Sequence, residues 1–369
     1  MSLSFDDLSK SLSQTQLDIL ERILEDETRQ KRREILNHIE VDQKHLEIVN
    51  FCANFFIHGQ LIPEKTGYCL TLAEPLYSLG VKNFDLGIFR SENSSLILVE
   101  CKSSVSDFGK LADDLEKSIT TATERKSDLE KILGNQIMDP VEFALCLPAV
   151  DANDAYKETL KKQIPICVWG ASQFEGKIKH FANQDNTTSE IQAGRLHRDG
   201  NLNSLLARGV ESKCRAIRSI PILPSSHMCT LLIYVGELIY LANKSQRKHG
   251  EFQYSDVFSI LEKDLGHMTS LSEEDFARLT TNILGVGLRK GVFIDLTTDI
   301  PEPSRKIIQI GGRKTSAEIV RKNIENVYVE HNAKEKAKEN AVTRYKKETG
   351  TTSITSFMGP DDHNNQPVP

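Results

Sequence analysis

Apolar residues near the start of the chain recur at the three- and four-residue spacing of a helix. Leu17, Leu20 and Leu24 mark one face of residues 14–38, and the positions between them are mostly charged or polar. This pattern predicts an amphipathic, solvated helix that would serve as an arm or as a dimer contact. Residues 43–57 are much more apolar, so they predict a second helix that is buried and ends at the following glycine.

The apolar pattern then changes to short runs with the length of β-strands. A polar link at 91–94 between two of these runs is typical of a hairpin turn. Helices are predicted at 107–133 and around 153–162. Three consecutive strands followed by strands that alternate with helices predict an α/β fold with a mixed central sheet and flanking helices. The five predicted strands cover residues 67–73, 83–90, 95–101, 141–148 and 164–170.

The second half of the chain is predicted to be mostly helical. Three helices followed by two short strands resemble a winged helix, a module that reads DNA or contacts other proteins. Ser272 and Asp275 have the pattern of an N-cap at the start of the third helix. The helices are predicted at 226–243, 254–264 and 271–286, and the strands at 292–297 and 306–310. The predicted DNA contacts are Arg278, Asn282, Arg289 and Lys290.

Composition and pattern together divide the chain into six segments. The linker carries six basic side chains between Arg195 and Arg218, and it fits either a segment that lies on DNA or a connecting loop. In the tail, Ile354, Phe357 and Met358 loosely resemble a sliding-clamp binding box, and an uninterpreted flexible tail is the alternative. The segments are a helical arm (1–39), an α/β domain (40–180), a basic linker (181–225), a winged-helix-like domain (226–314), a charged helix (315–347) and a disordered tail (348–369).

The bulk composition is that of a soluble globular protein, with 27% charged and 39% apolar residues. The seven cysteines form no CxxC pair, so neither a zinc knuckle nor a disulfide framework is indicated. No secretion signal is visible, and the longest apolar runs fall far below the ~18 residues of a membrane span. We therefore expect a reduced, intracellular protein in the cytoplasm, associated with the nucleoid if the source is prokaryotic.

Charge is distributed unevenly along the chain. Residues 187–347 contain 25 Lys and Arg against 19 Asp and Glu, a net charge of +6, so the rest of a chain with net charge −6 carries −12. A basic second half indicates a polyanionic partner, and ordinary scatter of surface charge is an equal alternative.

Two carboxylates and a lysine stand on the predicted hairpin. Asp85 lies in its first strand, and Glu100 and Lys102 lie at the end of its second strand. Side chains alternate along a strand, so Glu100 and Lys102 should share a face while the Cys101 side chain points into the core. Because isolated buried charges are costly, a bound cation is indicated. Asp85, Glu100 and the backbone carbonyl at Cys101 would form a hard oxygen site that suits Mg²⁺, with Mn²⁺ as a substitute.

These residues resemble the PD-(D/E)xK nuclease superfamily, which has a restriction-endonuclease-like fold. Phe84-Asp85 stands where the family has PD, and "LILVECKSS" stands where it has the strand that ends in (D/E)xK. The order of elements matches the family core over about residues 40–175, although the proline is absent. The tripeptide pattern recurs elsewhere in the chain, but only the copy at 100–102 ends an apolar strand that follows an acid-bearing strand.

The resemblance implies a role for each residue. Asp85 and Glu100 would be metal ligands, and Lys102 would orient the attacking water, help to deprotonate it or stabilise the transition state. Many members also carry a glutamate on the helix before the sheet. Glu47 is the candidate for that position, ahead of Glu64 and Glu74.

The resemblance implies a Mg²⁺-dependent endonuclease that hydrolyses DNA, in restriction or host defence, with repair or recombination as the next setting. A homodimer is compatible with the N-terminal arm. Three alternatives remain open: an RNA or tRNA nuclease on the same fold, a non-catalytic DNA- or protein-binding module on a nuclease-like scaffold, and a plain surface hairpin whose polar ends hold a salt bridge.

Overall fold

The computed structural model describes residues 4–81, 84–183, 187–212, 223–246, 251–265, 271–297, 306–311 and 316–349. Three groups of predictions lie outside these ranges. They are the linker cations Lys213, Arg215 and Arg218, the segment between the predicted strands at 292–297 and 306–310, and the tail at 350–369 with its clamp-box candidate.

A single long helix opens the fold. After the short α1 (Phe5–Lys10), α2 runs from Gln14 to Ala53 without interruption. Two separate helices were predicted here, but the segment contains no glycine or proline that would end the first one. The predicted boundary at residue 39 therefore falls inside a continuous helix.

The sheet has seven strands in sequential order, β1 to β7. The pairs β3–β4 and β4–β5 are parallel, and the other neighbouring pairs are antiparallel. The predicted mixed sheet with flanking helices is thus confirmed, although β6 and β7 were not predicted. The strands are β1 (Cys69–Ala73), β2 (Leu86–Arg90), β3 (Ser95–Cys101), β4 (Glu142–Pro148), β5 (Cys167–Ser172), β6 (Lys177–Phe181) and β7 (Val210–Glu211).

Both faces of the sheet are covered. In β3, Ile97 and Val99 join the core under α2, while Leu96 and Leu98 join the core on the opposite face. This is the two-residue alternation of a strand, and burial of both faces explains the unbroken apolar run from Leu96 to Val99. The predicted helix at 107–133 is broken in two at Arg125. The helices of this part are α3 (Leu61–Thr66), α4 (Phe108–Glu124), α5 (Lys126–Leu133), α6 (Ala149–Lys161), α7 (Thr187–Gln192) and α8 (Gly200–Arg208).

The described part of the predicted basic linker belongs to the sheet domain. It forms α7, α8 and β7, and Leu202 and Leu206 of α8 are fully buried in the core under α2. Arg195 pairs with Glu190 at 3.0 Å, so its charge is already compensated within the protein. The four-residue spacing of the two leucines is the helical signal that the polar composition obscured.

The second half contains an apolar core built from three helices, a small sheet and the last described helix, to which Ile35 and Ile39 of α2 also contribute. The helices are α9 (Met228–Gln246), α10 (Tyr254–Leu265) and α11 (Glu273–Arg289). The strands β8 (Glu251–Phe252), β9 (Phe293–Asp295) and β10 (Ile308–Ile310) pair antiparallel in the order β8-β10-β9. The Ser272 hydroxyl accepts a hydrogen bond from the Asp275 amide at 3.1 Å, which confirms the predicted N-cap.

The last helix, α12 (Ala317–Thr349), packs along α2 and joins the two halves. Leu20 and Ile23 of α2 form a small core with Ala341 and Tyr345 of α12. Further along α2, the Asp42 carboxylate accepts a hydrogen bond from Thr230 of α9 at 2.6 Å. Helix α2 thus contacts both halves of the protein. No helix in the described ranges combines the length and apolar character needed to cross a membrane.

Candidate active site

The β2–β3 hairpin brings Asp85 next to the end of β3. Leu86 pairs with Val99 in the antiparallel register, and the Asp85 amide extends this ladder by donating to the Val99 carbonyl at 3.0 Å. The Asp85 Oδ2 atom accepts a hydrogen bond from the Cys101 amide at 2.6 Å. Two backbone contacts therefore fix the position and the orientation of this carboxylate.

Glu100 and Lys102 project from the same face at the end of β3, as the alternation predicts. The Lys102 ammonium donates to Glu100 Oε1, and the Lys102 amide donates to the Cys146 carbonyl at 2.9 Å, which ties the segment to β4. Glu100 is buried, and its Oε2 atom has no hydrogen-bond partner among the described residues. An unpartnered buried carboxylate oxygen is costly unless a cation binds it.

His45 also belongs to the candidate active site, and it was not predicted from the sequence. Its Nε2 atom lies 3.0 Å from Asp85 Oδ1. On α2 it shares the helix stripe of the buried residues Ile48, Val49 and Cys52, which follow it by three, four and seven positions. That spacing was the available signal, because it places a titratable group on the face that packs against the sheet.

The three candidate glutamates lie in different surroundings. Glu47 is exposed on α2, two residues and more than half a turn away from His45, and Glu64 is exposed on α3. Glu74 is buried: its amide donates to the Asp85 carbonyl at 2.9 Å, and its Oε2 accepts from the Ser225 amide at 2.8 Å. Of the three, Glu74 is therefore the one that the fold joins directly to Asp85.

Burial and neighbouring charges shift the protonation equilibria at this site. Burial and the Asp85 charge raise the pKa of Glu100 to about 7, against the lowering effect of Lys102. Burial alone would lower the pKa of Lys102, but the charges of Glu100 and Asp85 outweigh it and hold that pKa above its ordinary value. The same balance raises the pKa of His45, where the Asp85 contact outweighs burial. Lys102 therefore stays protonated, and Glu100 resists losing its proton.

Three thiols lie directly behind the carboxylates. The Sγ atoms of Cys52, Cys101 and Cys146 are within 4.8 Å of one another, and all three residues are buried. The Cys101 side chain faces away from Glu100 and Lys102, so only its backbone remains for the carboxylate site. Sulfur is a soft ligand, and this cluster does not have the oxygen atoms that Mg²⁺ prefers.

The four predicted DNA contacts on α11 do not share one surface. Arg278, Asn282 and Arg289 line a cavity of about 780 Å³ together with residues of the sheet domain. The Lys290 ammonium instead pairs with Glu335 of α12, and it lines a different cavity. A uniform basic face on α11 is therefore absent from this part of the structure.

Comparison with known proteins gave no match among family models, curated proteins or solved structures. A function for the chain has to be argued from the geometry of its own residues.

Proposed function

We propose that the chain is a Mg²⁺-dependent endonuclease that hydrolyses DNA phosphodiester bonds on a PD-(D/E)xK-type core. One observation carries this proposal. Asp85, Glu100 and Lys102 converge at one end of the β2–β3 hairpin, and Glu100 retains a buried oxygen with no partner among the described residues. A hairpin that needed only a surface salt bridge would not bury two carboxylates beside one lysine.

The donor set suits a hard divalent cation. Asp85 and Glu100 are the residues that would hold Mg²⁺, because carboxylate oxygens are the ligands it prefers. Glu100 Oε2 is buried and has no partner among the described residues, and the pKa of Glu100 is raised; a bound cation would compensate both features. When bound, Mg²⁺ supplies charge stabilisation at the phosphate and lowers the pKa of a water ligand.

The remaining residues act on charge and orientation. The Lys102 ammonium is half-buried and protonated, so it stabilises negative charge that develops on the scissile phosphate, and it does not accept a proton. His45 on α2 contacts Asp85 Oδ1, and the Cys101 amide at the end of β3 donates to Asp85 Oδ2. Their contacts keep the carboxylate oriented before substrate arrives.

The second half supports DNA as the substrate. Three helices, α9, α10 and α11, and a three-stranded sheet in the order β8-β10-β9 are compatible with the proposal of a winged helix, a module that often binds DNA. The setting that we propose is restriction or host defence, with repair or recombination as the alternative.

Cleavage assays test this proposal. The wild-type chain and Lys102→Ala are incubated with supercoiled plasmid, single-stranded DNA and RNA, each in Mg²⁺, in Mn²⁺ and in EDTA. We expect metal-dependent cleavage of DNA by the wild type and none by the variant. Cleavage of RNA alone would show that the substrate is RNA. Absence of any cleavage would contradict the proposal and favour a non-catalytic binding protein.

A further inference from the structure

We infer that the cavity between α11 and the turn at Tyr77–Leu79 binds an unpaired stretch of DNA and leads it to the carboxylate site. We call this cavity the α11 groove. Its walls are Tyr77 and Ser78 on one side and α11 on the other, with Arg278, Asn282 and Arg289 among its lining residues. The inference rests on the proposed nuclease function and adds the class of substrate, a DNA with a single-stranded region.

A short chain of backbone hydrogen bonds links the wall of the α11 groove to the candidate active site. The Tyr77 amide donates to the Glu74 carbonyl at 3.0 Å, and the Glu74 amide donates to the Asp85 carbonyl at 2.9 Å. Two hydrogen bonds thus connect the wall of the groove to the residue proposed to hold the metal.

The groove carries the groups that recognise unpaired nucleotides. Tyr77 is 38% exposed, so part of its ring is available for stacking on a base. Asn282 is exposed and offers both a donor and an acceptor to a base edge. Aromatic stacking beside guanidinium groups is the combination by which proteins hold single strands without strict sequence preference.

The size of the groove suits an unpaired strand. Side chains of α11 and the residues Tyr77 and Ser78 line a cavity of about 780 Å³, which is within the range of small-ligand pockets. A helix that reads duplex DNA instead projects into the major groove, which is about 12 Å wide. The bases of a few unpaired nucleotides fit a cavity of this volume, and they could reach both sets of lining residues.

The two arginines of the groove differ in how much of their charge is available. Arg278 pairs with Glu274 at 3.1 Å and with Asp275 at 3.4 Å. Arg289 has no acidic partner among the described residues, so its charge is the one open to a phosphate. Lys290, the next residue, already pairs with Glu335 outside the groove. These neighbours form a matched pair for mutation.

Binding is measured separately from cleavage. Fluorescence anisotropy in EDTA, with the Lys102→Ala protein, compares a labelled single-stranded DNA, a blunt duplex of the same sequence and a single-stranded RNA. Tyr77→Ala, Tyr77→Phe, Arg289→Ala and Lys290→Ala are then added to this background. Circular dichroism melts verify that each variant is folded.

We expect the single-stranded DNA to bind more tightly than the blunt duplex. Tyr77→Ala should weaken single-strand binding by about tenfold or more, and Tyr77→Phe should retain it because stacking needs only the ring. Arg289→Ala should weaken binding and lower the salt slope by about one unit, while Lys290→Ala should do neither. If RNA binds more tightly than DNA and this binding depends on Tyr77, the groove is a nucleic-acid site but DNA is not its ligand.

The inference fails if the duplex binds more tightly and Tyr77→Ala has no effect, or if Arg289→Ala and Lys290→Ala behave alike. A wild-type protein that binds through Tyr77 but cuts no nucleic acid would refute the proposed nuclease function and leave the groove standing. A protein that cuts single-stranded and duplex DNA with equal kcat/KM, with or without Tyr77, would refute the groove and leave the nuclease standing.

Discussion

His45 and Asp85 are 40 positions apart in the chain, and their side chains meet with 3.0 Å between Nε2 and Oδ1. The contact joins α2 to the β2–β3 hairpin at the point where Glu100 and Lys102 also converge. Burial lowers the pKa of His45, but the hydrogen bond and the charge of Asp85 raise this pKa by a larger amount. The net shift is therefore upward. Proton binding at His45 therefore strengthens its hold on the carboxylate.

His45→Ala should reduce cleavage without unfolding the protein. The variant loses a hydrogen bond to a charged group, a contact worth roughly 1.5–3 kcal/mol, so we expect kcat/KM to fall by about tenfold to a hundredfold. Glu47→Ala is the matched control, because Glu47 is exposed on the same helix two residues away. Equal losses in the two variants would show that the helix matters and the His45–Asp85 contact does not.

Lys102→Ala should abolish cleavage and leave folding and DNA binding largely intact. The ammonium acts on charge that develops in the transition state, so its removal lowers kcat by at least about a hundredfold and changes the affinity for DNA little. Single-turnover cleavage and anisotropy are measured on the same preparation, with the exposed Lys110→Ala as the control. Full activity of Lys102→Ala at saturating Mg²⁺ would show that Lys102 does not stabilise the transition state.

Asp85→Asn should weaken divalent-metal binding, because one charged oxygen ligand becomes neutral. It also removes a negative charge beside Glu100, so the melting temperature without metal should rise. Calorimetric titration with Mn²⁺ measures the affinity, and Asp154→Asn on the exposed surface of α6 is the control. Unchanged affinity in Asp85→Asn would exclude this carboxylate as a ligand.

Stability without metal should depend on pH through Glu100. Its pKa is about 7 in the folded protein, above its ordinary value of 4.5, so the folded state holds the proton more tightly than the unfolded chain does. This contribution is fully present below the ordinary value and is lost as the pH rises through about 7. Glu100→Gln should therefore raise the free energy of unfolding near pH 8 by roughly 1–3 kcal/mol, with little effect near pH 4.

Thermal melts of the wild type and Glu100→Gln in EDTA, across that pH range, measure this difference. Saturating Mg²⁺ should stabilise the wild type near pH 8 and not the variant, since the cation compensates the ionised carboxylate. A difference in melting temperature that does not change with pH would contradict the raised pKa of Glu100.

Two glycines of α11 should respond in opposite ways to substitution by alanine. A Cβ at Gly287 would lie 2.1 Å from the buried ring of Phe293, so Gly287→Ala should cost roughly 1–3 kcal/mol of stability. A Cβ at Gly285 meets only the tip of the Arg289 side chain at 3.3 Å, and Gly285→Ala should stabilise the helix by about 0.5–1 kcal/mol. Denaturant unfolding of both variants checks the sign of each change.

The sequence was most informative where apolar runs and charges coincide. The β2–β3 hairpin and the convergence of Asp85, Glu100 and Lys102 follow from strand alternation, which depends only on local periodicity. The same reasoning found α4, α6 and the parallel strands, because their apolar positions are dense. The N-cap at Ser272 was also predictable, since it depends on two nearby side chains.

Features that depend on distant contacts were not predictable. β6 has few apolar residues and pairs through its backbone, so its sequence alone gives little indication of a strand. α8 was hidden inside a polar segment, although Leu202 and Leu206 are buried in the core and Leu205 packs against it. Glu47 was chosen as the glutamate on the helix before the sheet, and His45 was not considered, because its position depends on which face of α2 meets Asp85. Long-range placement of the three thiols likewise has no local signature.

The pairing of α2 with α12 has a consequence for biosynthesis. Leu20 and Ile23 of α2 pack in one cluster with Leu8 of α1 and with Ala341 and Tyr345 of α12, which lie far along the chain. On the ribosome, the helix that carries His45 is made long before α12, so Leu20 and Ile23 keep part of their apolar surface uncovered until α12 has emerged. Helix α12 thus completes the packing of a helix that is synthesised well ahead of it.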